Sequence, residues 1–118
     1  MKAIIETVLK GREVYSSGDD AFSIAREKFF IVKDVWIAIM EGAPLSERTY
    51  NHIAFKVDPS FLCEARARIE VLGLEIREPR PRLEGEGHSI YFYDDDNHLF
   101  ELHIGTLQDR LVRYAKRP

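Results

Sequence analysis

Two polar residues interrupt segments that otherwise read as buried strands: His52 in YNHIAFKVD and Glu101 in HLFELHIG. Side chains alternate between faces along a strand, so His52 shares a face with Ala54 and Lys56, and Glu101 shares one with Leu99 and His103. If the two strands lie side by side, an imidazole and a carboxylate converge on one cavity. That donor pair suits a divalent metal with mixed nitrogen and oxygen preference. The alternative is a structural histidine and an unrelated exposed glutamate. His98 and His103 are rival ligands, expected in a hairpin turn and near a strand end. Cys63 is the only cysteine, so an intrachain disulfide is excluded and a thiolate zinc site is disfavoured. It sits in a helical pattern with no plausible base and reads as structural. Asp94-Asp95-Asp96 fits no calcium-loop spacing and reads as a solvated hairpin turn.

The chain has 118 residues, a net charge of −3 and 45% hydrophobic residues. That length suffices for one domain or for two small repeated halves sharing a core. The scattered basic residues and slight acidity exclude a typical nucleic-acid binder. The basic tail Arg110, Arg113, Lys116, Arg117 reads as a solvated helix face. No apolar run is long enough for a membrane span, and the N-terminus lacks a signal-peptide core and cleavage site. A reducing cytoplasm is the expected compartment.

The elements that must position His52 and Glu101 follow from periodicity. Ile4, Ile5, Val8 and Leu9 lie on one face of a short helix over Lys2 to Leu9, with Gly11 as its stop. Glu13 to Ser16, Glu27 to Val32 and Val35 to Met40 form a meander, with a short edge strand over Ala21 to Ile24. The second half opens with a strand from His52 to Val57. Asp58 caps a helix that starts at Pro59, packs with Phe61, Leu62, Ala65, Ile69 and Leu72, and ends at Gly73. Strands over Leu74 to Arg77, Ser89 to Tyr93 and Leu99 to His103 follow, with Pro79 to Arg82 extended between the first two. Thr106 with Asp109 starts a final helix bearing Leu107, Leu111 and Tyr114 on one face. The architecture is therefore α+β. Residues 50–105 form a complete βαβββ unit, 1–43 the same unit without its opening strand, and 106–118 a C-terminal helix, together one domain built on a cryptic repeat.

YNHIAF, SIAREKFFIV and GEGHSIYFYDDDNHLFELHIGTL resemble the fosfomycin-resistance proteins of the vicinal-oxygen-chelate superfamily. Among these the FosX type, the metal-dependent epoxide hydrolases, is the nearest in pattern, and the resemblance covers about Glu13 to Tyr114. It implies paired βαβββ units around a divalent metal, usually manganese, in a homodimer whose units are exchanged between chains. His52 and Glu101 match two of the three metal ligands. The third, a histidine, belongs to an opening strand that this sequence lacks, as it lacks a phosphonate-holding threonine near it; Met1 to Arg12 contains no histidine. Two readings are open: the parent protein starts upstream and carries that strand, or the site is crippled or rebuilt with His103 or Glu27 as a candidate stand-in. Glu27 matches the general base of the hydrolases, a carboxylate that draws a proton from water as it attacks the epoxide. Tyr91 and Arg110 match phosphonate-contacting positions, Trp36 an aromatic wall of the pocket, and Arg80 and Arg82 lie on a loop that can assist. His88 stands where near relatives carry arginine. The expected function is hydrolytic opening of the fosfomycin epoxide to a diol. Its rivals are thiol addition to the same epoxide, and a dimer that binds metal or ligand without chemistry.

Overall fold

Two antiparallel runs of β-branched and aromatic residues pair wherever a short turn lets the chain double back, and the computed structural model builds two sheets from them. It describes residues 1–20, 24–77 and 88–116. The first sheet has the order β1-β2-β3, from Arg12–Ser16, Glu27–Val32 and Val35–Met40. Lys33, with φ of 53°, makes the turn between β2 and β3. The second sheet has the order β4-β7-β6-β5, from His52–Lys56, Leu99–His103, Ser89–Tyr93 and Ile76–Arg77. Its β4 and β7 run parallel, with Ala54 opposite Glu101. Helix α1 spans Pro59–Val71 and α2 spans Leu107–Ala115.

The repeat is visible in the register. Glu27 opposes Met40 at one end of the β2-β3 hairpin, as Ser89 opposes His103 at the same end of β6-β7. The α+β expectation and the strand-helix order are borne out. The second sheet carries β4 alongside β7; among the described residues nothing pairs with the corresponding edge of β3.

The core collects one face of each sheet. Phe30, Ile90, Phe92, Phe100 and Leu102 meet Ala65 and Ile69 of α1 and Ile4, Ile5, Val8 and Leu9 of the N-terminal turn. That turn, Ile4–Val8, is wound wider than an α-helix, Leu9 N–H reaching Ile4 O at 3.1 Å. The left-handed residue after it is Lys10, with φ of 59°. Gly11 is required for space: a Cβ there would stand 2.7 Å from Ile5 Cγ2 and 2.8 Å from Val32 Cγ2.

Other local expectations are corrected. Helix α1 starts at Pro59, but Asp58 makes no side-chain cap hydrogen bond. The strand expected from Leu74 shortens to Ile76–Arg77, because Leu74 N–H closes the helix end on Ile69 O at 3.2 Å. Cys63 is exposed, so it has no core role. Asp94 is buried instead of solvated and organises its turn, accepting from the backbone N–H of Asp96 and His98 and pairing with His98 Nδ1. The edge strand expected over Ala21 to Ile24 lies outside the described residues in all but Ile24, and the extended Pro79 to Arg82 lies outside them wholly.

The molecule is elongated, 54 × 30 × 28 Å with a radius of gyration of 16.1 Å, against about 13 Å for a compact chain of this length. Large apolar side chains stay exposed on β3 (Val35, Trp36, Met40), on β4 (Ile53) and along α2 (Leu107, Leu111).

Candidate metal centre

The face of the second sheet opposite the core is polar by alternation. Arg77 from β5, Ser89, Tyr91 and Tyr93 from β6, and Glu101 and His103 from β7 are in register across it, because Arg77 opposes Tyr91, Tyr91 opposes Glu101 and Ser89 opposes His103. Adding β4 brings in His52. Its Nε2 lies 3.0 Å from Glu101 Oε1, with the two side chains 22% and 8% exposed. The two strands do lie side by side, and the bland reading of an exposed Glu101 does not hold. His52 Nδ1 donates to Tyr50 O at 2.8 Å. That bond fixes the ring orientation and turns Nε2 toward the carboxylate, the arrangement a metal-ligating histidine needs.

Tyrosines wall the pair. Tyr91 is 2% exposed, meets the His52 ring edge-on at 5.5 Å and hydrogen-bonds Tyr50 Oη through its own Oη at 3.2 Å. Arg77 donates to Tyr93 Oη at 2.9 Å and sits 5.0 Å from the Tyr50 ring centre, and Arg48 lies 4.0 Å over the Tyr93 ring. A cleft of about 430 Å³ opens beside Glu101 and is lined also by His103, Lys56, Thr106 and Arg110. Thr106 Oγ1 accepts from Asp109 N–H at 3.0 Å, so the start of α2 is fixed where it brings Arg110 to this cleft.

His52, Glu101, Tyr91 and Arg110 are thus gathered by the second unit. Glu27 and Trp36 are not. Glu27 lines a separate cleft of about 450 Å³ with Ser16, Arg26, Lys28, Met40 and Glu41, which shares no residue with the Glu101 cleft. Its backbone is clamped by Ser17, whose Oγ accepts from Glu27 N–H at 2.9 Å and whose N–H donates to Glu27 O at 3.0 Å. Trp36 is 65% exposed, on the same face of the first sheet as Glu27, edge-on to Phe29 at 5.1 Å. Arg80 and Arg82 lie outside the described residues. Among the described residues no group of three His, Cys, Asp or Glu could hold a metal. Glu27 therefore does not stand in as a third ligand within this chain, and His103 is turned to another contact, its Nδ1 lying 3.1 Å from Ser89 Oγ. The donor set present, one imidazole nitrogen and one carboxylate oxygen on a buried face, fits part of a divalent-cation site.

Sequence reasoning passed over Arg48, Tyr50, Arg77, Ser89 and Tyr93. The available signal was the two-residue step from Tyr91, which puts Ser89 and Tyr93 on its face.

No family model matches the chain. Individual proteins do. The sequence is 59% identical over 116 residues to the fosfomycin resistance protein FosX of Mesorhizobium japonicum, covering 98% of this chain and 84% of that protein. The fold superposes on the crystal structure of FosX from Listeria monocytogenes with Mn(II) and sulfate, at a TM-score of 0.84 and 51% identity, covering 96% of this chain and 85% of that one. A point mutant of the Listeria protein, complexed with Mn(II) and 1S,2S-dihydroxypropylphosphonic acid, gives a TM-score of 0.85 at 52% identity, over 96% and 85% of the two chains. With more than half the residues identical over nearly its whole length, the chain belongs to the FosX family of fosfomycin resistance proteins.

Proposed function

We propose that the protein opens the epoxide ring of fosfomycin with water, releasing the vicinal diol of the same phosphonate. The observation that carries this reading is the His52–Glu101 pair, an imidazole and a carboxylate 3.0 Å apart on a buried sheet face. The dihydroxypropylphosphonic acid bound to the Listeria relative is what an epoxypropylphosphonate becomes on gaining one water, and it supports hydrolysis over thiol addition. His52 and Glu101 would hold the divalent cation, manganese by likeness to that relative. When bound, such a cation supplies Lewis acidity toward the epoxide oxygen.

The chain's own residues do the rest. Arg110 and Lys56 border the cleft at Glu101 and offer the positive charge that a phosphonate needs, Arg110 with the fork geometry suited to its oxygens. Tyr91 Oη and Tyr50 Oη form a hydroxyl pair at the wall that orients the bound anion. Glu27 Oε accepts the proton that water loses as its oxygen attacks an epoxide carbon; the C–O bond to that carbon breaks, and the ring oxygen, still bonded to the other carbon, becomes an alkoxide that takes a proton from water, while Glu27 returns its own proton to solvent.

Within one chain, Glu27 and Glu101 line different clefts. We infer a homodimer in which the Glu27–Trp36 face of one copy covers the His52–Glu101 face of the other. The elongated shape and the exposed apolar surface on β3, β4 and α2 support it. Exposed patches of that kind mark association surfaces in soluble proteins.

Phosphorus NMR of fosfomycin incubated with the protein and Mn(II), without thiol, tests the reaction. The diol signal is the expected result. A product that forms only when a thiol is added overturns the hydrolase reading in favour of thiol transfer.

A further inference from the structure

Glu101 has two oxygens, and the structure treats them differently. Oε1 faces His52 Nε2 at 3.0 Å. Oε2 accepts from Ser89 Oγ–H at 2.6 Å, and His103 Nδ1 stands 3.1 Å from that same Ser89 oxygen and 3.7 Å from Oε2. A serine hydroxyl has one proton to give. Here it goes to the carboxylate, a short charge-assisted bond. Ser89 Oγ is then the acceptor toward His103, so Nδ1 of His103 carries the hydrogen. The three side chains form a directed chain, His103 to Ser89 to Glu101, across two strands whose register places Ser89 opposite His103.

We propose that Ser89 and His103 are positioning residues that hold Glu101 in a single rotation, with Oε2 tied back and Oε1 presented beside His52 as the metal-binding oxygen. This rests on the reading of His52 and Glu101 as metal ligands. Burial is what makes the chain matter. The Glu101 and His103 side chains are 8% and 15% exposed, and loss of the Ser89 hydroxyl takes from Oε2 a donor that stands 2.6 Å away, so the carboxylate is held less firmly with Oε1 toward His52. His103 serves the site through Ser89, and its nitrogen nearest the carboxylate is committed to that role.

Groups that orient a metal ligand from behind are worth about 10–100-fold in metal affinity. The test is Mn(II) affinity, read from the EPR signal of free Mn(II) during titration, for the wild type and the variants Ser89→Ala, Ser89→Thr, His103→Ala, His103→Asn and His52→Ala. Ser89→Ala is expected to weaken binding about 10–100-fold. Ser89→Thr keeps the hydroxyl and is expected to bind like the wild type. His103→Ala is expected to weaken binding, and His103→Asn, which keeps a donor near the Nδ1 position, to restore it. The double variant Ser89→Ala/His103→Ala is expected to be no weaker than Ser89→Ala, since both act through one chain. Ser89→Ala binding Mn(II) within about twofold of the wild type, well inside that expected range, overturns the proposal. So does a His103→Ala loss that far exceeds the Ser89→Ala loss, because His103 would then be a ligand. His52→Ala is the control for the underlying reading: undiminished binding in that variant refutes the metal pair itself.

Discussion

If each active site is built from two copies, two inactive variants must repair one another. Glu27→Ala removes the proposed base and keeps His52 and Glu101; His52→Ala does the reverse. Loss of a general base costs roughly 10²–10⁴-fold, so the first variant retains at most about one per cent of wild-type turnover on that scale, and loss of a metal ligand is expected to disable the second. Co-expressed in equal amounts, the two chains pair at random, and about half of the dimers are mixed under the two-fold symmetry of most homodimers. In a mixed dimer, one site receives Glu27 from the second chain and His52 with Glu101 from the first, and is intact; the other site carries both lesions. One working site in two, in half the dimers, returns about a quarter of wild-type activity, about twenty-five-fold or more above the Glu27→Ala ceiling. The structural basis is that Glu27 and Glu101 line clefts with no residue in common. The assay is diol formation by the purified mixture, with native mass spectrometry to verify the mixed species. Activity that stays at parental level in verified mixed dimers would refute the shared site and place Glu27 in the same chain's reaction or outside it.

Three further outcomes follow from the packing. Gly11→Ala forces a methyl within 2.7 Å of Ile5 Cγ2 and 2.8 Å of Val32 Cγ2, and is expected to cost about 1–3 kcal/mol by overpacking; an unchanged urea midpoint would contradict it. Leu102→Ala, at a position that is 0% exposed between the sheet and α1, is expected to cost about 2–5 kcal/mol in the same assay, and a loss under 1 kcal/mol would show that this core collapses freely (~ by the same scale). Glu13 takes hydrogen bonds from Lys2 and Lys28 at 3.1 and 3.2 Å, which hold its carboxyl below the ordinary range. That stabilisation is present above the unfolded carboxyl value of about 4.3 and disappears as pH falls through the lower folded value. Glu13→Gln should therefore destabilise the protein at neutral pH, by a loss that shrinks as pH falls through the lowered folded value and the carboxyl takes up its proton; a loss that stays constant on acidification would be inconsistent with the ion-pair origin.

The parts of the fold that were legible in the sequence are those where local rules act alone. Strands Glu27–Val32, Val35–Met40, Ser89–Tyr93 and Leu99–His103 match their expected limits because alternation and short turns bound them on both sides. Helix α1 matches because Pro59 opens it and Gly73 follows it. Where two elements compete for one backbone group, local reading falls short: Leu74 N–H belongs to the helix end and is lost to the strand. The His52–Glu101 pair was legible because a titratable group inside an apolar strand is itself a signal. Ser89 was not, since serine is unremarkable anywhere and its role depends on facing His103 across a hairpin. The separation of Glu27 from Glu101 was equally hidden, because alternation tells which face a residue takes and nothing about which faces meet.

The energetic balance of the polar face argues for function over stability. A sheet face that buries a carboxylate and two tyrosines beside a half-buried imidazole gives up apolar contact and must satisfy every polar atom it removes from water. Glu101 does so with partners on both oxygens, and His52 with partners on both ring nitrogens. Replacing hydrogen-bonded polar partners with apolar groups of the same shape can be nearly neutral or stabilising, so stability alone gives no reason to keep this arrangement. The opposite face of the same strands shows what the chain builds when stability is the only demand: Ile90, Phe92, Phe100 and Leu102, all 7% exposed or less. The contrast between two faces of the same two strands, one apolar and closed, the other polar and cross-braced from Tyr50 to His103, is what a fold shows where a ligand, and not the core, dictates residue choice.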